Sequence, residues 1–118
     1  MSLYSPARMD DEPHFRLEQE TIDGRRRVAV SGEIDIQTAP ALEDALSEAC
    51  RLSSTIELDL HEVSFIDSTG IRAILAAKAS CADQDVELLM VPSRHQAPHR
   101  VFELSGLLDL LPWRARRE

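Results

Sequence analysis

The spacing of apolar residues alternates between two periods along this chain, and this alternation constrains the fold more than any other feature of the sequence. Residues 55–60, TIELDL, alternate strictly, so that Ile56, Leu58 and Leu60 share one side. This is the period of a strand with one exposed face. The preceding segment instead repeats at helical spacing, through Leu42, Ala45, Leu46, Ala49 and Cys50. Strands that alternate with helices predict an α/β layer with right-handed crossovers.

The chain begins with a predicted hairpin. We expect strands over about residues 14–20 and 25–31, where apolar residues alternate. Between them, Asp23-Gly24 is typical of a type I′ turn, because that turn needs positive φ at both central residues. A helix then follows, with Thr38 as its N-cap and Pro40 tolerated in its first turn.

The second half of the chain predicts two more helices and one more strand. We expect residues 61–67 to connect the TIELDL strand to a helix that starts at Ser68. Residues 86–91 are almost continuously apolar, which favours a central strand. A third helix is expected from Pro98 to a C-cap at Gly106. The predicted buried stripe of the second helix is Ile71, Ile74, Leu75, Ala79 and Ala82.

Length and charge set limits on the class of protein. The chain has 118 residues, which favours one domain, and we assign it to residues 14–118. Residues 1–13 are polar and acidic, and we expect them to form a disordered tail. The net charge of −8 argues against nucleic acid or an anionic membrane as the main partner. We find neither a signal peptide nor an apolar run of about 20 residues, and we expect a cytoplasmic protein.

Several motifs of catalysis and metal binding are missing or weak. No glycine-rich phosphate loop occurs, so no cofactor is expected. His95 and His99 are four residues apart, but Pro98 lies between them, and surface histidines are favoured over a metal site. Cys50 and Cys81 form no C-x-x-C motif, and both are expected to be buried free thiols.

The stretch Asp67-Ser68-Thr69-Gly70 has two interpretations that residue chemistry leaves open. Asp67 or Ser68 could simply cap the helix that follows, which contributes about 1 kcal/mol. Alternatively, an exposed hydroxyl at a helix start could be phosphorylated, since the helix dipole tolerates the added charge of about −2. Asp67 would repel that phosphate, as would Glu33 and Asp35 if their loop lies nearby. Phosphorylation would then change the surface and preserve the fold.

Three stretches occur in the order found in STAS domains, namely GEIDIQTAP, IELDLHEVSFIDSTGIRAIL and FELSGLLDLLP. From about residue 14 to residue 113 the chain resembles this family, and most of all the stand-alone anti-sigma factor antagonists of bacteria. The resemblance implies a four- to five-stranded, mostly mixed sheet with helices packed mainly on one face. The chain departs from many relatives at Asp83-Gln84-Asp85, where they have a Gly-containing turn, and at Pro98.

The resemblance also implies a function. In that family the serine after the motif's aspartate, here Ser68, is phosphorylated by a partner that is both an anti-sigma factor and a serine kinase. The unphosphorylated antagonist binds this partner and frees the sigma factor. Phosphorylation breaks the complex and a phosphatase restores it. The implied partner-binding residues are Glu33, Asp35, Thr38, Asp67, Ser68, Thr69, Gly70 and Arg72.

Two other roles remain as alternatives. The chain could be a constitutive STAS scaffold subunit of a transport or signalling complex, in which the Ser68 hydroxyl only caps its helix. It could also be a small hydrolase with Ser68 as nucleophile, although no G-x-S-x-G motif surrounds that residue. The favoured expectation is a monomeric regulatory protein that is not an enzyme and needs neither cofactor nor metal.

Overall fold

The structure, a computed structural model, describes residues 14–114. The tail predicted for residues 1–13 therefore lies outside the described residues. Within them, the predicted order of strands and helices is confirmed. The elements are β1 (Phe15–Ile22), β2 (Arg25–Ile34), α1 (Ala39–Leu52), β3 (Thr55–Ile66), α2 (Ser68–Asp83), β4 (Glu87–Val91) and α3 (Gln96–Leu104).

The four strands form one mixed sheet in the order β1-β2-β3-β4. β1 is antiparallel to β2, whereas β2–β3 and β3–β4 are parallel pairs. Asp23 and Gly24 have φ values of 52° and 81°, as the predicted type I′ hairpin requires. Buried residues of all three helices join those of the sheet in one core, which confirms the predicted α/β class.

The two middle strands are longer than the sequence pattern predicts. β2 continues to Ile34 and β3 to Ile66, so residues 61–66 belong to a strand and not to a connection. Two register shifts interrupt the β2–β3 pairing, between Ala29 and Ser31 and between Gly32 and Glu33. Such bulges break the period-two alternation although pairing continues, which explains why the pattern ended early.

The predicted central position of the last strand is wrong, because β4 lies at the edge of the sheet. Leu88 and Met90 are buried in the core, and the backbone of residues 112–114 pairs with the free edge of the strand. The Met90 amide donates to the carbonyl of Pro112 at 2.9 Å, and the Arg114 amide donates to the carbonyl of Met90 at 2.7 Å. Residues 112–114 thus cover the free edge at Met90 and satisfy backbone groups there, as exposed edges require.

The sheet face without helices is charged, as the alternation of TIELDL predicts. Glu57 is only 8% exposed there, although it is acidic. Its carboxylate lies 2.6 Å from the guanidinium of Arg114 and 3.6 Å from that of Arg25. Asp59 forms an ion pair with Arg27 on the same face. These partners offset the cost of holding carboxylates close to the sheet.

The buried side of α2 differs in part from the predicted stripe. Ile71 and Ile74 are buried as expected, but Leu75, Ala79 and Ala82 are exposed. The helix instead buries Gly70, Ile71, Ala73, Ile74, Ala77 and Cys81. Alanines occur on both sides of this helix, so the apolar spacing alone does not show which side is buried.

The third helix starts two residues earlier than predicted. α3 begins at Gln96, and Pro98 occupies its first turn, where an absent N–H costs no helical hydrogen bond. Its end agrees with the prediction, since Gly106 has φ 77° just after the C-cap Ser105. The Leu107 amide donates to the carbonyl of Phe102 at 3.0 Å, which completes a Schellman ending.

Candidate functional site

The candidate site lies where two neighbouring parallel strands end. Ile34 and Ile66 are register partners at the ends of β2 and β3. The Asp67 amide donates to the carbonyl of Ile34 at 3.1 Å and ties the two strand ends together. The loop that begins at Asp35 and the helix that begins at Ser68 therefore start side by side. The carboxyl edge of a parallel sheet is a common position for binding sites.

Asp67 is the residue that caps α2. Its Oδ1 accepts hydrogen bonds from the Thr69 amide at 2.9 Å and from the Gly70 amide at 3.2 Å. The Thr69 hydroxyl donates to the same oxygen. The hydrogen bond from the Thr69 hydroxyl, with the two amides, lowers the pKa of Asp67 below its ordinary value despite partial burial. Asp67 therefore remains ionised throughout the neutral range.

The two hydroxyls beside Asp67 have different environments. Ser68 is the first helical residue and is exposed. Within residues 14–114, no side-chain hydrogen bond engages its hydroxyl. Thr69 is half-buried and its hydroxyl is committed to Asp67. Ser68 is thus the hydroxyl available to a partner, and it performs no capping role.

Gly70 fixes how closely α2 approaches the sheet. A Cβ at this position would lie 2.6 Å from Cγ1 of Ile66 and 2.7 Å from Cγ2 of Ile34, well inside normal contact distances. Gly70 is buried, so it offers no side chain or exposed surface to a partner. The absence of a side chain lets the helix start rest on the two strand ends and sets the position of Ser68.

The neighbouring loop is held by its own side chains. The Asp35 carboxylate accepts from the amides of Gln37 at 3.0 Å and Thr38 at 3.1 Å. Thr38 is the N-cap of α1 as predicted, but its side chain makes no capping hydrogen bond to the helix. Its hydroxyl accepts from the Asp35 amide at 2.8 Å and donates to the carbonyl of Glu33 at 2.9 Å. Asp35 and Thr38 therefore shape the loop and are half-buried.

The outer surface of the site is part charged and part apolar. Glu33 is exposed at the end of β2, and Arg72 is exposed one turn after Ser68. Sequence reasoning missed three apolar residues of this region. Ile36 is 71% exposed at the tip of the loop, Phe65 is 43% exposed beside Glu33, and Leu75 is 36% exposed on α2. For Ile36 a signal existed, because an isoleucine in the loop between a predicted strand and a predicted helix has no strand or helix face to bury it.

Ser68, Arg72 and Leu75 have the spacing of one exposed helical stripe. We name this stripe, together with loop residues 33–38, the α2 surface. It presents a hydroxyl, a cation and apolar side chains beside the ionised carboxylate of Asp67. Such a mixture is typical of a surface for protein binding.

The other sequence candidates lie apart from this surface. His95 is the N-cap of α3 and His99 is exposed on the same helix. Among residues 14–114, no three His, Cys, Asp or Glu side chains are placed to hold a metal ion. None of the helices in that range is both long enough and apolar enough to cross a bilayer.

Comparison with known proteins identifies the family. The family model of the STAS domain matches residues 16–118, and the chain belongs to this family. An anti-sigma-B factor antagonist of Staphylococcus aureus is 33% identical over 100 residues, which cover 83% of this chain and 91% of the relative. An anti-sigma-B factor antagonist of Listeria monocytogenes is 34% identical over 85 residues, covering 71% and 74% of the two chains.

The fold agrees with that of a solved relative. The crystal structure of an anti-sigma factor antagonist from Mycobacterium paratuberculosis superimposes with a TM-score of 0.76 at 31% identity, and the match covers 86% of each chain. The four-stranded mixed sheet with three helices is therefore the STAS fold.

Proposed function

We propose that this protein is an anti-sigma factor antagonist controlled by phosphorylation of Ser68. Unphosphorylated, it binds an anti-sigma factor that is also a serine kinase, and the sigma factor is released. Support comes from the relatives that carry the antagonist name at 33–34% identity. The single structural observation behind the switch is the exposed Ser68 hydroxyl, which is free because Asp67 caps the helix.

Charge provides the physical basis of the switch. A phosphate adds about −2 charge at Ser68, beside a carboxylate that is already ionised. The amides of Thr69 and Gly70 are occupied by Asp67, so they cannot neutralise the phosphate without releasing the cap. A charge about 4 Å away in a partner interface would interact by up to about 4 kcal/mol at an effective dielectric of 20. Half of that changes an affinity more than tenfold.

The residues of the proposed interface divide into contact and support. Ser68, Arg72 and Glu33 are exposed and would contact the partner, and Ile36 and Leu75 add apolar contact area to the same surface. The remaining members keep the α2 surface in shape: Asp67 and Thr69 cap the helix, Gly70 seats it, and Asp35 and Thr38 hold the loop.

The chain acts as a kinase substrate and not as an enzyme, because the ATP belongs to the anti-sigma factor. A phosphatase restores the unphosphorylated form. We propose that the protein is located in the cytoplasm, where sigma factors act, and that it is a monomer.

The test is to incubate the full chain with ATP and each candidate anti-sigma kinase of its organism, then map the phosphosite and measure binding calorimetrically. We expect one phosphate, on Ser68, and loss of the complex. Ser68→Asp should weaken binding at least tenfold, whereas Ser68→Ala should bind and resist phosphorylation. Ser54→Asp is the matched control, since Ser54 is exposed just before β3, at the opposite end of that strand from Ser68.

A different set of results would favour the scaffold alternative. If no kinase modifies the chain, and Ser68→Asp binds a stable partner as tightly as the wild type does, the switch is wrong. Equal loss of binding in Ser68→Asp and Ser54→Asp would instead indicate a nonspecific charge effect.

A further inference from the structure

The two cysteines lie against each other although they are far apart in sequence. Cys50 is near the end of α1 and Cys81 is in the last turn of α2. Their sulfur atoms are 3.0 Å apart, and both residues are free thiols. They are 4% and 2% exposed, respectively. A disulfide has an S–S length of about 2.05 Å, so the sulfurs need to approach by only about 1 Å.

An open groove leads from the surface to one of the two thiols. The groove runs between α1 and α2, has a volume of about 200 Å³, and is lined by Glu43, Leu46, Ser47, Cys50, Ala73, Ala76, Ala77 and Ser80. Cys50 belongs to its wall, whereas Cys81 is not among the residues that line it. A small reagent in the groove therefore meets Cys50 first.

The environment of the second thiol suits a reaction in two steps. Burial raises the pKa of Cys81 to about 12, and its hydrogen bond with Cys50 adds to this effect. Cys81 consequently remains a thiol at neutral pH and is a poor first nucleophile. It is, however, in place to react with whatever forms on Cys50.

We propose that Cys50 and Cys81 form a reversible disulfide that fastens α1 to α2 when the protein meets a peroxide. The Cys50 sulfur attacks one peroxide oxygen, the O–O bond breaks, and Cys50 sulfenic acid forms with release of water. The Cys81 sulfur then attacks the Cys50 sulfur, the S–O bond breaks, and the Cys81 proton leaves with hydroxide as a second water. In total, two thiols lose two electrons and hydrogen peroxide gains them. A dithiol reductant returns both thiols.

The disulfide would strengthen the domain without acting on the proposed switch. It closes a chain segment of 31 residues, which restricts the unfolded state. Cys81 and Ser68 are separated along α2 by about 20 Å at 1.5 Å per residue. The fastened helix ends are therefore remote from the α2 surface, and this inference stands whether or not Ser68 is phosphorylated.

The test treats the fully reduced, folded chain with hydrogen peroxide and then alkylates it with iodoacetamide in denaturant. We expect a monomer that is 2 Da lighter, takes up no alkyl group and yields a Cys50–Cys81 linked peptide. Its Tm should rise by about 10 °C, because closing a loop of this length is strongly stabilising. Dithiothreitol should restore both alkylation sites and the original Tm.

Single variants separate this chemistry from unspecific oxidation. Cys81→Ala should accumulate a dimedone-reactive sulfenic acid on Cys50, whereas Cys50→Ala should leave Cys81 unmodified under the same conditions. Circular dichroism verifies that each variant is folded. If a variant is not folded, the formation of the Cys50–Cys81 crosslink in the wild type is the test of the proposal. Crosslinking only between chains, only in denaturant, or with a lowered Tm would overturn the proposal.

Discussion

At the scale of single residues, three neighbouring polar side chains of the candidate site have different roles. Asp67 satisfies the amides of the helix start, and Thr69 donates its hydroxyl to Asp67. Ser68, between them, is exposed and takes no part in the cap. Two adjacent hydroxyls thus differ in availability because the helix turns one towards solvent and the other towards the cap.

We expect that even an alanine side chain at Gly70 lowers the stability of the protein. Gly70→Ala should lower stability by about 1–3 kcal/mol, because the added methyl meets Ile66 and Ile34 at 2.6 and 2.7 Å. Helix propensity alone predicts the opposite, a gain of up to about 1 kcal/mol. Urea unfolding at neutral pH measures the difference. A more stable variant would show that close packing does not require glycine here.

At the scale of elements, α2 depends on a charged cap at its first turn. The cap is a carboxylate that accepts three hydrogen bonds, and its strength therefore depends on pH. The pKa of Asp67 is lowered in the folded protein relative to the unfolded chain, where it is about 3.9. Its contribution is complete above the unfolded value and is lost as pH falls through the folded value.

Asp67→Ala should therefore destabilise the protein by about 1 kcal/mol at pH 7 and by less in acid. The difference from the wild type is expected to shrink below about pH 4, as protonation removes the wild-type advantage. Urea titrations between pH 3 and pH 7 give this profile. Asp44→Ala, at an exposed position within α1, controls for loss of one negative charge. A difference that stays constant over this range would contradict the role of the ionised cap.

At the scale of the whole molecule, residues 112–114 cover the open edge of the sheet. They pair with β4 and pack Trp113 edge-to-face on Phe102, with ring centroids 5.3 Å apart. The Trp113 indole also donates to the carbonyl of Leu108 at 2.7 Å. An edge strand without such cover is a template for pairing between chains.

Trp113→Ala should cost about 2–3 kcal/mol, less than for a fully buried tryptophan because Trp113 is half-buried. It should also promote self-association through the freed edge of β4. Urea unfolding and sedimentation velocity over a concentration series measure the two effects. Trp113→Phe keeps an aromatic ring against Phe102 and should remain monomeric. A Trp113→Ala protein that is destabilised but strictly monomeric would show that the edge needs no cover.

Much of the fold and part of the site could be predicted from local patterns. The Asp23-Gly24 hairpin, the order of strands and helices, and the α1 stripe all follow from spacing or from residue chemistry within a few positions. A cap at Asp67 or Ser68 follows in the same way, and the structure assigns it to Asp67. Bulges between β2 and β3 hid the true ends of both strands, since they break the alternation on which the prediction depended. The exposure of Leu75 was missed because Leu75 fits the helical spacing of the predicted buried stripe.

The sequence by itself determined which segments form strands and helices, because periodicity and turn chemistry act between near neighbours. Only the tertiary structure decided that β4 is an edge strand, that α2 turns Leu75 outward, and that Cys50 meets Cys81. Each of these depends on which distant segment covers a given face. That choice is made by packing across the whole core, and a local pattern does not contain it.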